Sequence, residues 1–276
     1  MQVAILSGKG GTGKTFISVN MASAAGEAVC IDCDVEEPNG WLFLKPVEEK
    51  TCPVEMLLPE VDIEKCSGCR TCVEFCKFSA LAYVKDKLMI FPQLCHSCGG
   101  CILLCPQKAL AESSREIGRI IYGTAGKVAT RTGVLNPGEP AGVAIINQLL
   151  EKVDSSKLVV LDCPPGSGCN VIESIRSCDY CLLVAEPTVF GVHNLALVLK
   201  LVRLFGKPCG VVINKAVPGK TIVEDFCRKE KVQVLESIPF DRNVAAAISN
   251  GELAVKERKY QQLFRGLIEK IRGEGT

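Results

Sequence analysis

The sequence predicts a doubly wound, mostly parallel α/β sheet with a small α+β module inserted in its middle. Three observations point there. Short runs apolar on both faces alternate with helix-length segments, a glycine-rich loop joins the first run to the first helix, and the alternation stops across a window crowded with cysteines.

The apolar runs occupy residues 3–6, 29–31, 158–161, 181–185 and 210–213, as expected for strands buried on both sides. Helix-length segments lie at 15–25, 142–153, 169–177, 194–205, 221–231 and 243–251. Leu263, Phe264, Leu267, Ile268 and Ile271 share one face of a last helix, which reads as packed rather than as a membrane anchor. Residues 122–140 are rich in glycine and proline and read as a partly looped return to the sheet. The expected organisation is therefore a discontinuous domain, residues 1–59 and 111–276, interrupted by a module at 60–110.

Composition narrows the function. Of 276 residues, 47% are hydrophobic and 23% charged, which fits a globular chain. Lys plus Arg (32) nearly balance Asp plus Glu (31), so no basic field favours a nucleic-acid partner. The N-terminus lacks the pattern of an export signal, and no apolar run approaches the ~20 residues of a membrane span. A cytoplasmic protein without a membrane partner is expected. The 17 cysteines then read as metal ligands rather than disulfides.

Gly8, Lys9, Gly10, Gly11, Thr12, Gly13, Lys14 and Thr15 satisfy G-x-x-x-x-G-K-[ST] between a strand and a helix. Glycines let successive backbone N–H groups converge on phosphate oxygens, and the helix N-terminus adds its positive dipole end. Lys14 should reach the β- and γ-phosphates and Thr15 should ligate Mg²⁺.

With Lys9 as a second loop lysine, the chain resembles the deviant Walker ATPases (MinD, ParA, Mrp/Nbp35 and the nitrogenase iron protein) over residues 1–58 and 112–271. The resemblance implies an ATPase that sandwiches nucleotide in a homodimer, or in a heterodimer with a related ATPase, Lys9 reaching the partner's nucleotide. It also implies that Asp34 orients the attacking water and that Asp162 holds Mg²⁺. Asn214, with Pro239 and Phe240, resembles the adenine pocket. Val217 stands where a guanine site has an aspartate, so ATP is expected over GTP.

Inside the window, Cys66, Cys69, Cys72 and Cys76 follow C-x₂-C-x₂-C-x₃-C, and Cys95, Cys98, Cys101 and Cys105 repeat the run 29 residues later. Residues 63–110 resemble bacterial ferredoxins, with Lys77 where that pattern has proline. Three cysteines of each run and the fourth of the other hold a [4Fe–4S] cluster in such pairs. One cluster is thus expected on Cys66, Cys69, Cys72 and Cys105, and a second on Cys95, Cys98, Cys101 and Cys76. Zinc is the alternative thiolates allow, although its sites seldom use eight cysteines so spaced.

Of the other cysteines, Cys30, Cys181 and Cys209 read as core residues. Cys178 and Cys181, a C-x₂-C entering a strand, should point to opposite faces. Cys33, Cys163 and Cys169 adjoin the two switch segments, where the iron-protein resemblance suggests a cluster bridging subunits. His96 and His193 read as surface or helix-start residues.

The expected function is an ATP-hydrolysing iron–sulfur protein whose nucleotide-driven dimer changes are coupled to electron transfer, with a redox partner or iron–sulfur client. A cluster carrier of the Mrp/Nbp35 type is a second reading, although the extra C-x₂-C of that group is missing after Asn214. A MinD/ParA-like positioning ATPase with structural clusters is a third.

Overall fold

A computed structural model describes residues 1–140 and 142–274. In chain order the first half runs β1 (Gln2–Leu6), α1 (Lys14–Ala25), β2 (Ala28–Asp32), α2 (Gly40–Leu44), β3 (Val47–Val61), α3 (Thr71–Phe75), β4 (Leu81–Val84), β5 (Lys87–Ile90), α4 (Gly100–Leu103), β6 (Leu110–Ala125) and β7 (Val128–Leu135). The second half runs α5 (Val143–Leu150), β8 (Leu158–Asp162), α6 (Cys169–Arg176), β9 (Tyr180–Ala185), α7 (Val189–Leu204), β10 (Cys209–Ala216), α8 (Ile222–Glu230), β11 (Gln233–Pro239), α9 (Arg242–Ser249) and α10 (Arg258–Glu274).

Nine strands form one sheet in the order β11-β10-β9-β1-β8-β2-β7-β6-β3. The neighbours from β11 to β7 are parallel, while β6 pairs antiparallel with β7 and with β3. Strands β2, β8 and β9 are buried at every residue, which is why they read as unbroken apolar runs. One core lies beneath α5, α6, α7 and α8, and the other beneath α1, α9 and α10. The apolar face of α10 is consumed there: Phe264 packs edge-on against Phe16 at 5.8 Å and is fully buried.

Three expectations need correction. Residues 122–140 are more strand than loop: most belong to β6 and β7, and only 126–127 and 136–140 lie outside them. Gly123 and Gly133 serve close packing there, since a Cβ would stand 2.6 Å from the Val47 carbonyl oxygen and 2.7 Å from a Val35 methyl, respectively. Second, α7 starts at Val189, not 194, because the Thr188 hydroxyl accepts from the Gly191 N–H at 2.9 Å and caps it. Third, β11 has only a weak period-2 pattern and is absent from the sequence reading.

Residues 62–109 hang from the paired ends of β3 and β6, which run on past β7 as a two-stranded ribbon to the Val61–Leu110 pair.

Candidate functional site

The glycine loop leaves the C-terminal end of the central strand β1 and opens α1, where a doubly wound sheet places its ligand. Gly11 and Gly13 take left-handed backbone (φ 77° and 96°), and no side chain caps the first turn of α1, so its N–H groups are left for a ligand. A Cβ added at Gly10 or Gly11 would meet nothing within 4 Å, so this side of the loop opens onto free space. The opposite side is braced. Asn214 Nδ2 donates to the Thr12 carbonyl at 2.8 Å, and Lys215 Nζ donates to the Gly11 carbonyl at 2.9 Å. Asn214 is thus buried beneath the loop with one amide donor already used, while Phe240, just beyond the β11 terminus Pro239, is exposed.

Lys14, the first residue of α1, is buried, and Thr15 follows it beside Asp162, the last residue of β8. Ser18 Oγ donates to Asp162 Oδ1 at 3.1 Å, whereas Oδ2 is buried without a hydrogen-bond partner among the described residues. Burial pushes the Asp162 carboxyl up, against the pull of the Thr15 hydroxyl, the Lys14 ammonium and the Ser18 hydroxyl. An orphaned carboxylate oxygen beside a threonine hydroxyl and a lysine suits a hard divalent cation.

Asp34 is half-buried on the loop after β2. Burial and the Asp162 charge push its carboxyl up to about 6, although Lys14 opposes this. A folded-state value above the ordinary one means that its stabilising contribution is present below about pH 4 and lost as pH rises through 6. Chemistry runs the other way, since only the carboxylate can take a proton from water, while the neutral acid keeps an acceptor oxygen but adds an O–H donor. Turnover is therefore expected to fall about tenfold per pH unit below 6, and Asp34→Asn to remove that acid limb with at least ~100-fold of the rate. A pH–rate profile of both proteins checks this.

Ser18 and Glu186, absent from the sequence reading, complete the site with Asp32 and Lys215, which stand inside motifs read there without a role of their own. Asp32 accepts from the Gly40 N–H at 2.9 Å and the Asp34 N–H at 3.1 Å, tying the switch loop and α2 to the end of β2. Glu186, just past β9, pairs with Lys9 at 3.3 Å and Lys215 at 2.6 Å. Despite its burial, these two ammonium groups hold its carboxyl below the usual range. The legible signal was position, an acidic residue closing a buried strand.

Cys33 and Cys163 are fully buried in the core, so the side chains of two of the three cysteines considered for a bridging cluster turn away from any partner. Cys169 is exposed in a cleft that it lines with Asp34 and Pro164. Cys178 and Cys181 do not diverge: their sulfurs stand 3.5 Å apart, because β9 begins only at Tyr180 and Cys178 sits on the preceding turn. Cys30 and Cys181 are core residues and Cys209 is half-buried. His193 lies inside α7, and His96 stacks on Phe78 at 3.8 Å.

The eight cysteines of the two runs surround two hollows. One is lined by Cys66, Cys69, Cys72 and Cys105; the other, of about 270 Å³, by Cys76, Cys95, Cys98 and Cys101. The Ala109 N–H donates to Cys105 Sγ at 3.2 Å and the Ser97 N–H to Cys95 Sγ at 3.5 Å. The sequence repeat is also a backbone repeat. Left-handed residues recur 29 apart at Gly68 and Ser97, Arg70 and Gly99, Ser79 and Lys108. The Asp62 N–H donates to the Ala109 carbonyl, and the Phe91 N–H to the Ala80 carbonyl, each at 2.8 Å. Among the described residues, no three His, Cys, Asp or Glu side chains converge closely enough to hold a single metal ion.

Glycine loop, magnesium-type carboxylate and parallel sheet together define a P-loop ATPase of MinD/ParA type. The chain belongs to the CobQ/CobB/MinD/ParA nucleotide-binding family, whose CbiA domain profile matches residues 3–255. It is 31% identical to the uncharacterized protein MJ0578 of Methanocaldococcus jannaschii over 99% of this chain and 96% of that one. The uncharacterized protein MJ0579 of the same organism is 30% identical over 98% and 96%. Among solved structures, the cell-division ATPase MinD of Pyrococcus furiosus has the same fold (TM-score 0.61, 19% identity, 99% and 98% covered). So does the septum site-determining protein MinD of Pyrococcus horikoshii, complexed with Mg-ADP (0.59, 20%, 98% and 95%). No described helix is long and apolar enough to cross a membrane.

Proposed function

We propose that this protein is an ATP-hydrolysing switch carrying two [4Fe–4S] clusters, in which nucleotide-driven dimer changes are coupled to electron transfer. The carrying observation is the sorting of eight cysteines into two hollows with four thiols each, the fourth of each set coming from the other run. The core of this segment gives a second reason. Its buried cluster contains four residues, Cys72, Leu81, Cys101 and Leu110, and two of them are cysteines. So small a core needs an inorganic staple. When bound, the clusters supply one-electron exchange, and the Ala109 and Ser97 N–H groups aimed at sulfur are of the kind that tune its potential.

In the nucleotide site, the free N–H groups of the loop and Lys14 hold the phosphates, and Thr15 with Asp162 holds Mg²⁺. Asp34 orients the attacking water. Lys9 is kept by Glu186 until a partner's nucleotide offers a stronger anion, which leaves Glu186 to Lys215. Asn214, Pro239 and Phe240 border the adenine side. The dimer is formed with a second copy or a related chain.

A MinD/ParA-like positioning ATPase with structural clusters is the second reading, and the solved neighbours lean toward it. They include MinD proteins and the McdA protein of Cyanothece, at 15–20% identity. One measurement separates the two. The anaerobically reconstituted, reduced protein is mixed with a low-potential acceptor with and without Mg-ATP. Coupling requires oxidation rates that change at least severalfold with nucleotide. Equal rates, together with ATPase activity stimulated by lipid vesicles or DNA, select positioning. Protein that retains zinc but no iron ends both.

A further inference from the structure

Among the described residues, the side of the β7–β6–β3 edge away from α5 is overhung by the short α2, which borders an open cavity of about 670 Å³, within the size range of small-molecule sites. The period of two fixes what faces it: Arg119 and Gly123 from β6, Thr130 and Thr132 from β7. The alternate residues of β7 point to the opposite face; Gly133, for instance, lies against Leu149 and Ile145 of α5.

The cavity's polar groups are left over by the fold. Thr130 and Thr132 are 6% and 7% exposed, their hydroxyls bond to no described residue, and neither oxygen is among the atoms buried without a partner, so both stay open to the cavity. Hydroxyls placed in this way can donate to or accept from whatever occupies the cavity. Lys45 and Arg119 also line the cavity and make no ion pair among the described residues. Against these two cations stands one carboxylate, Glu48, which already accepts from the Thr51 hydroxyl at 2.6 Å. Trp41, 52% exposed on α2, supplies a flat apolar wall.

We propose that this cavity binds a small organic anion with a flat, apolar body, its charge on Arg119 and Lys45, its acceptor oxygens on Thr130 and Thr132, and its body against Trp41. The site is separate from the nucleotide loop but joined to the segment after β2 that carries Asp34. The first residue of α2, Gly40, is held by Asp32, and Asp32 is in register with Thr132 across the β2–β7 pair.

Trp41 is the only tryptophan in the chain, so its emission reports on the cavity. The protein is titrated with 1-pyrenebutyrate and with the neutral 1-pyrenebutanol. Saturable quenching by the carboxylate is expected, with the alcohol bound at least about tenfold more weakly. Arg119→Gln should erase that preference, and the pair Thr130→Val and Thr132→Val should weaken the carboxylate about tenfold, with ATP affinity unchanged in both variants as the sign of a native fold. If the double variant fails to fold, the exposed Arg119→Gln decides alone. Non-saturable quenching, equal affinity for the two pyrenes, or an Arg119→Gln variant that keeps the preference overturns the proposal.

Discussion

Asp162→Asn is expected to lower Mg-dependent ATP hydrolysis at least ~100-fold while leaving the apoprotein as stable as before or more so. The two effects have one origin. In the free protein Asp162 is a carboxylate 2% exposed, with one oxygen orphaned and its proton affinity raised by burial. It stands near Asp32, whose carboxyl is likewise pushed up by burial and then by Asp162. Two buried acids next to each other destabilise the apo fold at neutral pH and favour it as pH falls. Asparagine keeps the oxygen that accepts from Ser18 and removes the charge, so the apo fold should gain about 1 kcal/mol. The same substitution turns an N–H group toward the position that Thr15 and Asp162 offer a cation. Thermal melts with and without Mg-ADP test the pair of claims. The wild type should melt higher with Mg-ADP by several degrees, and the variant should not. A variant that keeps that increment would remove Asp162 from the cation site.

What could be read from the chain divides by how local the signal is. Strands β2, β8 and β9 were legible because burial on both faces leaves an unbroken apolar run. Strands β6 and β7 were not, because Gly123 and Gly133 look like turn residues until the packing that forbids a Cβ is known. The phosphate loop is contiguous and announces itself. Its supports are not contiguous: Glu186 follows β9 while Asn214 and Lys215 lie near the end of β10, and only the sheet order brings them to the loop. The meeting of Cys178 and Cys181 was misread for a related reason. The argument from opposite faces holds only inside a strand, and Cys178 precedes it. The partition of the eight cysteines, by contrast, is what the resemblance to bacterial ferredoxins implies.

That partition can be tested by counting iron. In the proposed arrangement Cys105 belongs with Cys66, Cys69 and Cys72, although it closes the other run. The offset of 29 residues shared by the left-handed positions, the α3 and α4 starts and the Val61–Leu110 and Leu81–Ile90 pairs is what a two-fold exchange of fourth ligands needs. The double variant Cys72→Ala, Cys105→Ala should therefore lose one cluster only, retaining about four of about eight irons per chain. The double variant Cys101→Ala, Cys105→Ala touches both sets and should retain close to none. If each run instead held its own cluster, the two results would be interchanged. Alanine is the right replacement because it offers no oxygen that could stand in for sulfur. Cys72 and Cys101 are 9% and 8% exposed and belong to the small core of this segment, so losing both clusters should also unfold residues 62–109. The β3–β6 ribbon and the sheet behind it should persist, visible as protease cleavage confined to the cysteine-bearing segment.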